Sequence, residues 1–67
     1  MKTSETKHQK NLEGKFELGD ILTLLDGKLW KVVGTYGFHG EEWILLRGTN
    51  GERMDYTIGS LVTYIQK

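Results

Sequence analysis

Tyr36, Phe38, His39 and Trp43 fall inside "GTYGFHGEEW", residues 34–43, beside Glu41 and Glu42. Three aromatic rings next to an acid are the physical recipe for a cage around methylated lysine or arginine, because ring faces are electron-rich. Gly34, Gly37 and Gly40 would let a loop of this kind turn without strain. The same residues have a structural use: Tyr36 and Phe38 could close the open end of a thin core, leaving His39 at a solvated tip. The sequence leaves both uses open.

Other chemistry is sparse. A catalytic site needs a nucleophile, a base or a metal cluster at workable spacing. The only histidines are His8 and His39, one on each side of the first apolar stretch, which is no known metal-site spacing. Glu41 and Glu42 are adjacent, so a strand would point them to opposite sides, a poor arrangement for paired acid and base. The three glycines lack both the Lys-Ser/Thr ending and the following helix of a phosphate cradle. The chain therefore reads as a non-enzyme with no metal and no cofactor. Lys31, Arg47 and Arg53 could meet phosphates, with Tyr56 or Trp43 as a stacking platform. Glu41, Glu42, Glu52 and Asp55 sit among them and would repel a phosphate backbone.

Composition limits what must hold these residues in place. Sixty-seven residues make one domain at most, with a thin core. The absence of cysteine rules out a disulfide framework and a thiolate zinc site. Nine basic side chains balance nine acidic ones, so no long-range field draws the chain to nucleic acid or an anionic membrane. Residues 1–14 are polar and charged, with Met1 and Leu12 the only apolar side chains. They read as a flexible tail ahead of a domain at 15–67, a short helix being the alternative. They also contain no apolar run, so neither a secretory signal nor a membrane span is expected, and the default compartment is the cytoplasm. A product of a phage or mobile element is equally compatible with such a chain.

Two patterns compete over "FELGDILTLLDGKLWKVVGTYG". Leu18, Ile21, Leu22, Leu25 and Leu29 follow helical spacing. Asp26-Gly27 between apolar runs signals a hairpin with a type I′ turn, and the second arm is rich in β-branched and aromatic residues. The hairpin is preferred. Asn50-Gly51 suits the same turn between "EEWILLRG" and "ERMDYTI", with Met54, Tyr56 and Ile58 on one face and Arg53, Asp55 and Thr57 on the other. The ending "GSLVTYIQK" allows a helix capped by Ser60, but a single turn at Gly59 to Leu61 before a last strand is preferred. The expected strands are 18–25, 28–36, 42–48, 52–58 and 62–66.

In strand lengths, in the Gly19-Asp20 opening and in the turn before the last strand, residues 16–67 resemble the SH3-like small β-barrels, the group that includes Tudor and KOW-type modules. The carrying stretches are "LGDILTLLDGKLWKVVGTY" and "WILLRGTNGERMDYTIGSLVTYIQK". The resemblance implies an all-β, five-stranded barrel, and in Tudor-type members a cage at the loop that here carries Tyr36, Phe38 and Trp43. The first hairpin loop is only "DG", unlike the long acidic loop of proline-peptide binders, and the glycine-rich basic stretch of KOW modules is missing. This barrel serves many unrelated roles.

The strands carry more apolar residues than one small barrel can bury. Ile21 and Leu25 would face away from Leu22 and Leu24, as would Trp43 and Leu45 from Ile44 and Leu46. Spare apolar surface marks a protein interface, and Trp43 is the best candidate anchor because tryptophan is enriched at interface hot spots. The expectation is a small regulatory or adaptor barrel contacting a protein partner, or a second copy of itself, through Tyr36, Phe38, His39, Trp43, Leu45 and Arg53. The alternative is a nucleic-acid-binding barrel using Arg47, Arg53 and Lys31. No membrane role is expected.

Overall fold

Leu22, Leu24, Trp30, Val32, Ile44 and Leu46 stand at alternate positions of three chain segments, and alternate residues of a strand share one face. All six are buried in a computed structural model that describes residues 7–66. Around them run α1 (Lys7–Leu12), β1 (Ile21–Thr23), β2 (Leu29–Phe38), β3 (Glu41–Gly48), β4 (Arg53–Thr57) and α2 (Ile58–Tyr64). The strands form one antiparallel sheet in the order β1-β2-β3-β4. The architecture is mostly β, an open four-stranded sheet with two short helices. Among the described residues no helix is long and apolar enough to cross a membrane.

The fifth strand expected at 62–66 is largely replaced by α2. Thr57, not Ser60, stands at its N-cap, its Oγ1 accepting the Ser60 N–H at 3.4 Å. Seven residues hold too little intrinsic helicity to stand alone, so packing must select the conformation. Leu61 and Ile65, four apart, both enter the core. Among the described residues beyond α2, Ile65 pairs with the sheet, as an antiparallel bridge to Leu24. The Leu25 N–H donates to the Tyr64 carbonyl at 2.9 Å and the Gln66 N–H to Thr23 at 2.8 Å, so the chain returns along β1.

The turns differ from expectation in an instructive way. Asp26-Gly27 and Asn50-Gly51 do not form two-residue type I′ turns. Leu24 N–H donates to the Lys28 carbonyl and Gly48 N–H to Glu52, each closing a three-residue loop in which only the glycine has positive φ. That is the next commonest hairpin connection, a type I turn followed by a left-handed residue. The primed geometry belongs to His39-Gly40, with φ of 54° and 77°. The stretch 34–43, expected as a loop between strands ending at 36 and starting at 42, is therefore mostly paired strand, with a tip of two residues.

Where composition pointed to an unpacked tail over residues 1–14, residues 7–12 are helical; residues 1–6 lie outside the described residues. The helix ends in a Schellman motif: Lys15 N–H donates to the Lys10 carbonyl at 2.9 Å and Gly14 N–H to Asn11 at 3.0 Å. Asn11 is buried and Leu12 packs against the core, so two side chains dock a segment too polar to fold alone. Gly14 has φ of 88°, and a Cβ there would lie 3.2 Å from Ile58 Cγ2. Gly14→Ala is expected to cost about 1–2 kcal/mol from the left-handed conformation alone. Urea unfolding measures it; an unchanged midpoint would show that α1 is not docked.

Candidate interaction surface

The sheet has a second face, whose residues are set by register. Lys31 pairs with Arg47, but between Val32 and Gly34 the pairing of β2 with β3 slips by one residue. Val33 is the extra residue of this bulge. Beyond it Gly34 pairs with Leu45, Tyr36 with Trp43 and Phe38 with Glu41. On β4, Thr57, Asp55 and Arg53 stand beside Trp43, Leu45 and Arg47. Alternation thus gathers Tyr36, Phe38, Trp43, Leu45 and Arg53 on the face away from the core.

The three aromatic residues do not line one space: Tyr36 and Phe38 border an open hollow of about 530 Å³ with His39, Glu41 and Glu42, and Trp43 is not part of it. Tyr36 and Trp43 stack against each other, ring centroids 6.1 Å apart and planes within 10°. Phe38 pairs instead with His39 at the hairpin tip, edge to face at 4.1 Å. Three walls around a cation would need rings at an angle across a gap, and here two of the rings fill each other's faces. Nor do Tyr36 and Phe38 seal one end of the core, since both are exposed. Trp43 is half-buried beneath Tyr36 and forms a floor to the surface rather than a protruding anchor. Glu41 and Glu42 are exposed on successive, oppositely directed positions, as alternation demands.

One polar contact holds the floor together. The Tyr36 hydroxyl donates to Asp55 Oδ2 at 2.8 Å, reaching across β3 and over Leu45. The phenol pKa lies above its ordinary value of 10.0, first because its proton is given to Asp55, then through desolvation and the carboxylate charge. A raised phenol pKa contributes fully below the ordinary value and is lost as pH rises through the folded one. The contact is intact at neutral pH.

Apolar area remains in the open. Ile21, Leu29, Val33 and Phe38 are 56%, 50%, 47% and 55% exposed, on the same side as Tyr36. Two shallow hollows indent this side. One, of about 240 Å³, lies between Ile21, Leu29, Lys31 and Arg47. The other, of about 340 Å³, lies between Val33, Leu45, Arg47, Arg53 and Asp55. Arg47 borders both.

The expected contact residues are thus on one face, with His39 at its rim, but sequence reasoning missed two of its features. Val33 enters only through the bulge, which no residue type announced. Lys31, Arg47 and Arg53 read as scattered along the chain, yet they are successive cross-strand partners. Lys31 stands opposite Arg47 only because of the bulge, so counting outward from the turns would not have found the row. Tyr56, considered as a stacking platform beside them, lies on the opposite face, against the core. Among known proteins, no family model, curated relative or solved structure matches the chain.

Proposed function

We propose that this chain is a non-catalytic protein-interaction module, an SH3-like small barrel that docks a partner on the outer face of β2, β3 and β4. Barrel character draws support from the Leu24–Ile65 bridge, which sets residues 64–66 beside β1 where a fifth strand would stand. The docking role is carried by one observation: half-exposed Ile21, Leu29, Val33 and Phe38 surround a floor of Tyr36, Trp43 and Leu45 on one sheet face. Exposed apolar side chains gathered on one face support an interface reading. The hydrogen-bonded floor gives a partner a rigid platform.

The test replaces apolar surface without touching the core. Val33→Asp combined with Phe38→Asp should leave circular dichroism unchanged and cut recovery of a bound protein from the native host at least tenfold. Equal recovery by both proteins would remove the proposed face. Light scattering on the same pair reports whether the partner is a second copy.

The row of Lys31, Arg47 and Arg53 favours a second reading, a surface for single-stranded nucleic acid. Gel-shift binding that weakens steeply with salt would support it.

A further inference from the structure

Lys31, Arg47 and Arg53 occupy directly opposed positions on three neighbouring strands. Adjacent strands lie about 4.8 Å apart, so three like charges stand in a line roughly 10 Å long. Like charges directly opposite each other destabilise a sheet. No ion pair joins them to an acid: among the described residues the ion pairs are Lys10–Glu17, Lys15–Glu13 and Lys28–Glu52, and none involves this row. Asp55 borders a hollow with Arg47 and Arg53 and is the one acid that offsets their charge there, its Oδ2 accepting the Tyr36 hydroxyl. Enough carboxylates exist elsewhere, nine acids in all against nine bases, so the unpaired row is a matter of placement and not of composition.

We infer that the docking face recognises an acidic polypeptide segment whose carboxylates lie on Lys31, Arg47 and Arg53 and whose flanking aliphatic or aromatic side chains enter the two hollows beside Arg47. The inference rests on the docking-face reading and names the chemistry of the partner. The hollows decide against phosphate. Their open walls are aliphatic, Ile21 and Leu29 on one side and Val33 and Leu45 on the other. Such walls suit Leu, Ile or Phe side chains. A single-stranded nucleic acid would need exposed ring faces beside the cations, and the ring that lines the hollow with Lys31 and Arg47, Trp30, is buried in the core. Three cations in a chain of zero net charge also give little of the field that draws a polyanion. From β1 to β4 is about 14 Å, the reach of four or five extended residues. The recognised core is therefore short: bulky apolar, two or three acidic, bulky apolar.

The row leaves a signature that needs no ligand. Arg47→Glu places a carboxylate between two cations and converts both repulsive pairs into attractive ones. The variant should melt at a higher temperature than the wild type while losing its partner, the pattern of a residue kept for binding at the expense of stability.

The experiment selects peptides from a random twelve-residue display library on the whole chain, then measures the winners against wild type and Arg47→Glu. Expected winners carry two or three acids beside Leu, Ile or Phe. They bind the variant at least tenfold more weakly, and their lysine-for-acid versions regain affinity for it. Winners without acids, lost on Val33→Asp but indifferent to Arg47→Glu, would overturn the acidic partner and leave the docking face standing. An oligo-dT strand that binds with steep salt dependence, while no peptide is enriched, would overturn both in favour of phosphate. Enrichment of nothing, with no oligo-dT binding, would overturn both outright. A melting temperature that falls on Arg47→Glu would show that the three cations do not oppose one another.

Discussion

Leu61→Ala should lower the unfolding free energy by about 3 kcal/mol, the middle of the range for deleting a buried leucine side chain. For a domain this small the loss corresponds to roughly 12–24 °C in Tm. Leu61 is fully buried and is the central residue through which α2 reaches the core. Around it stand Leu22, Leu24, Trp30, Val32, Ile44, Leu46 and Ile65, so the space it leaves is enclosed by sheet on one side and helix on the other. Collapse into that space is limited, because the sheet backbone is fixed by its ladder. A chain of this length has only about 3–10 kcal/mol of stability in total, so the variant sits at the edge of unfolding. Leu25→Ala is the matched control: the same atoms removed from a side chain 60% exposed, where about 0.5 kcal/mol or less is expected. Equal midpoints for the two variants would mean that α2 is not held to the sheet as described.

That helix also shows where local reading fails. Val62, Thr63, Tyr64 and Ile65 favour strand by residue type; over 62–64 the preference is overruled by a helix capped at Thr57 that buries Leu61, while Ile65 is extended and bridges Leu24. Packing of this kind is not visible in a window of seven residues. The sheet was legible for the opposite reason. Alternation of Leu22 and Leu24, or Ile44 and Leu46, with outward neighbours is a local pattern with a direct physical cause, and burial follows it residue by residue. The surplus apolar face, including Ile21 and Leu25, could be read from that alternation. Its composition could not. The bulge at Val33 and the three-residue turns set which cations stand opposite which, and a shift of one residue would have sent Arg47 to the other side. The helix at Lys7–Leu12 was hidden for a different reason: a polar stretch buries little surface in bulk. One amide, Asn11, one apolar side chain, Leu12, and a well-formed C-cap at Gly14 dock it. Lys10 in the last turn followed by Gly14 was a helix-ending signal in plain view.

The other large effect is expected at Asp20, in the Gly19-Asp20 pair on which the family resemblance partly rested. Asp20 is almost wholly buried. Its Oδ2 accepts Asn11 Nδ2 at 3.0 Å and the Glu17 backbone N–H at 3.0 Å. Its own N–H donates to the Glu17 carbonyl and its carbonyl accepts the Val32 N–H at 2.8 Å. One residue therefore closes the turn that leads into β1, fastens that turn to β2 and fastens α1 to the turn. Hydrogen bonds to a charged group contribute about 1.5–3 kcal/mol each, and a buried donor left without its acceptor adds its own desolvation cost. Asp20→Ala is expected to destabilise the fold by about 3–4 kcal/mol on this basis. Asn11→Ala removes one arm of the same network and should cost about 1–2 kcal/mol. The pair belongs in a double-mutant cycle, because residues sharing a hydrogen bond couple by about 0.5–3 kcal/mol whereas independent sites add. Strict additivity in urea unfolding would mean that α1 is not fastened through Asn11. A coupling of the expected size would make the polar N-terminal segment part of the folding unit, held by a carboxylate as well as by Leu12.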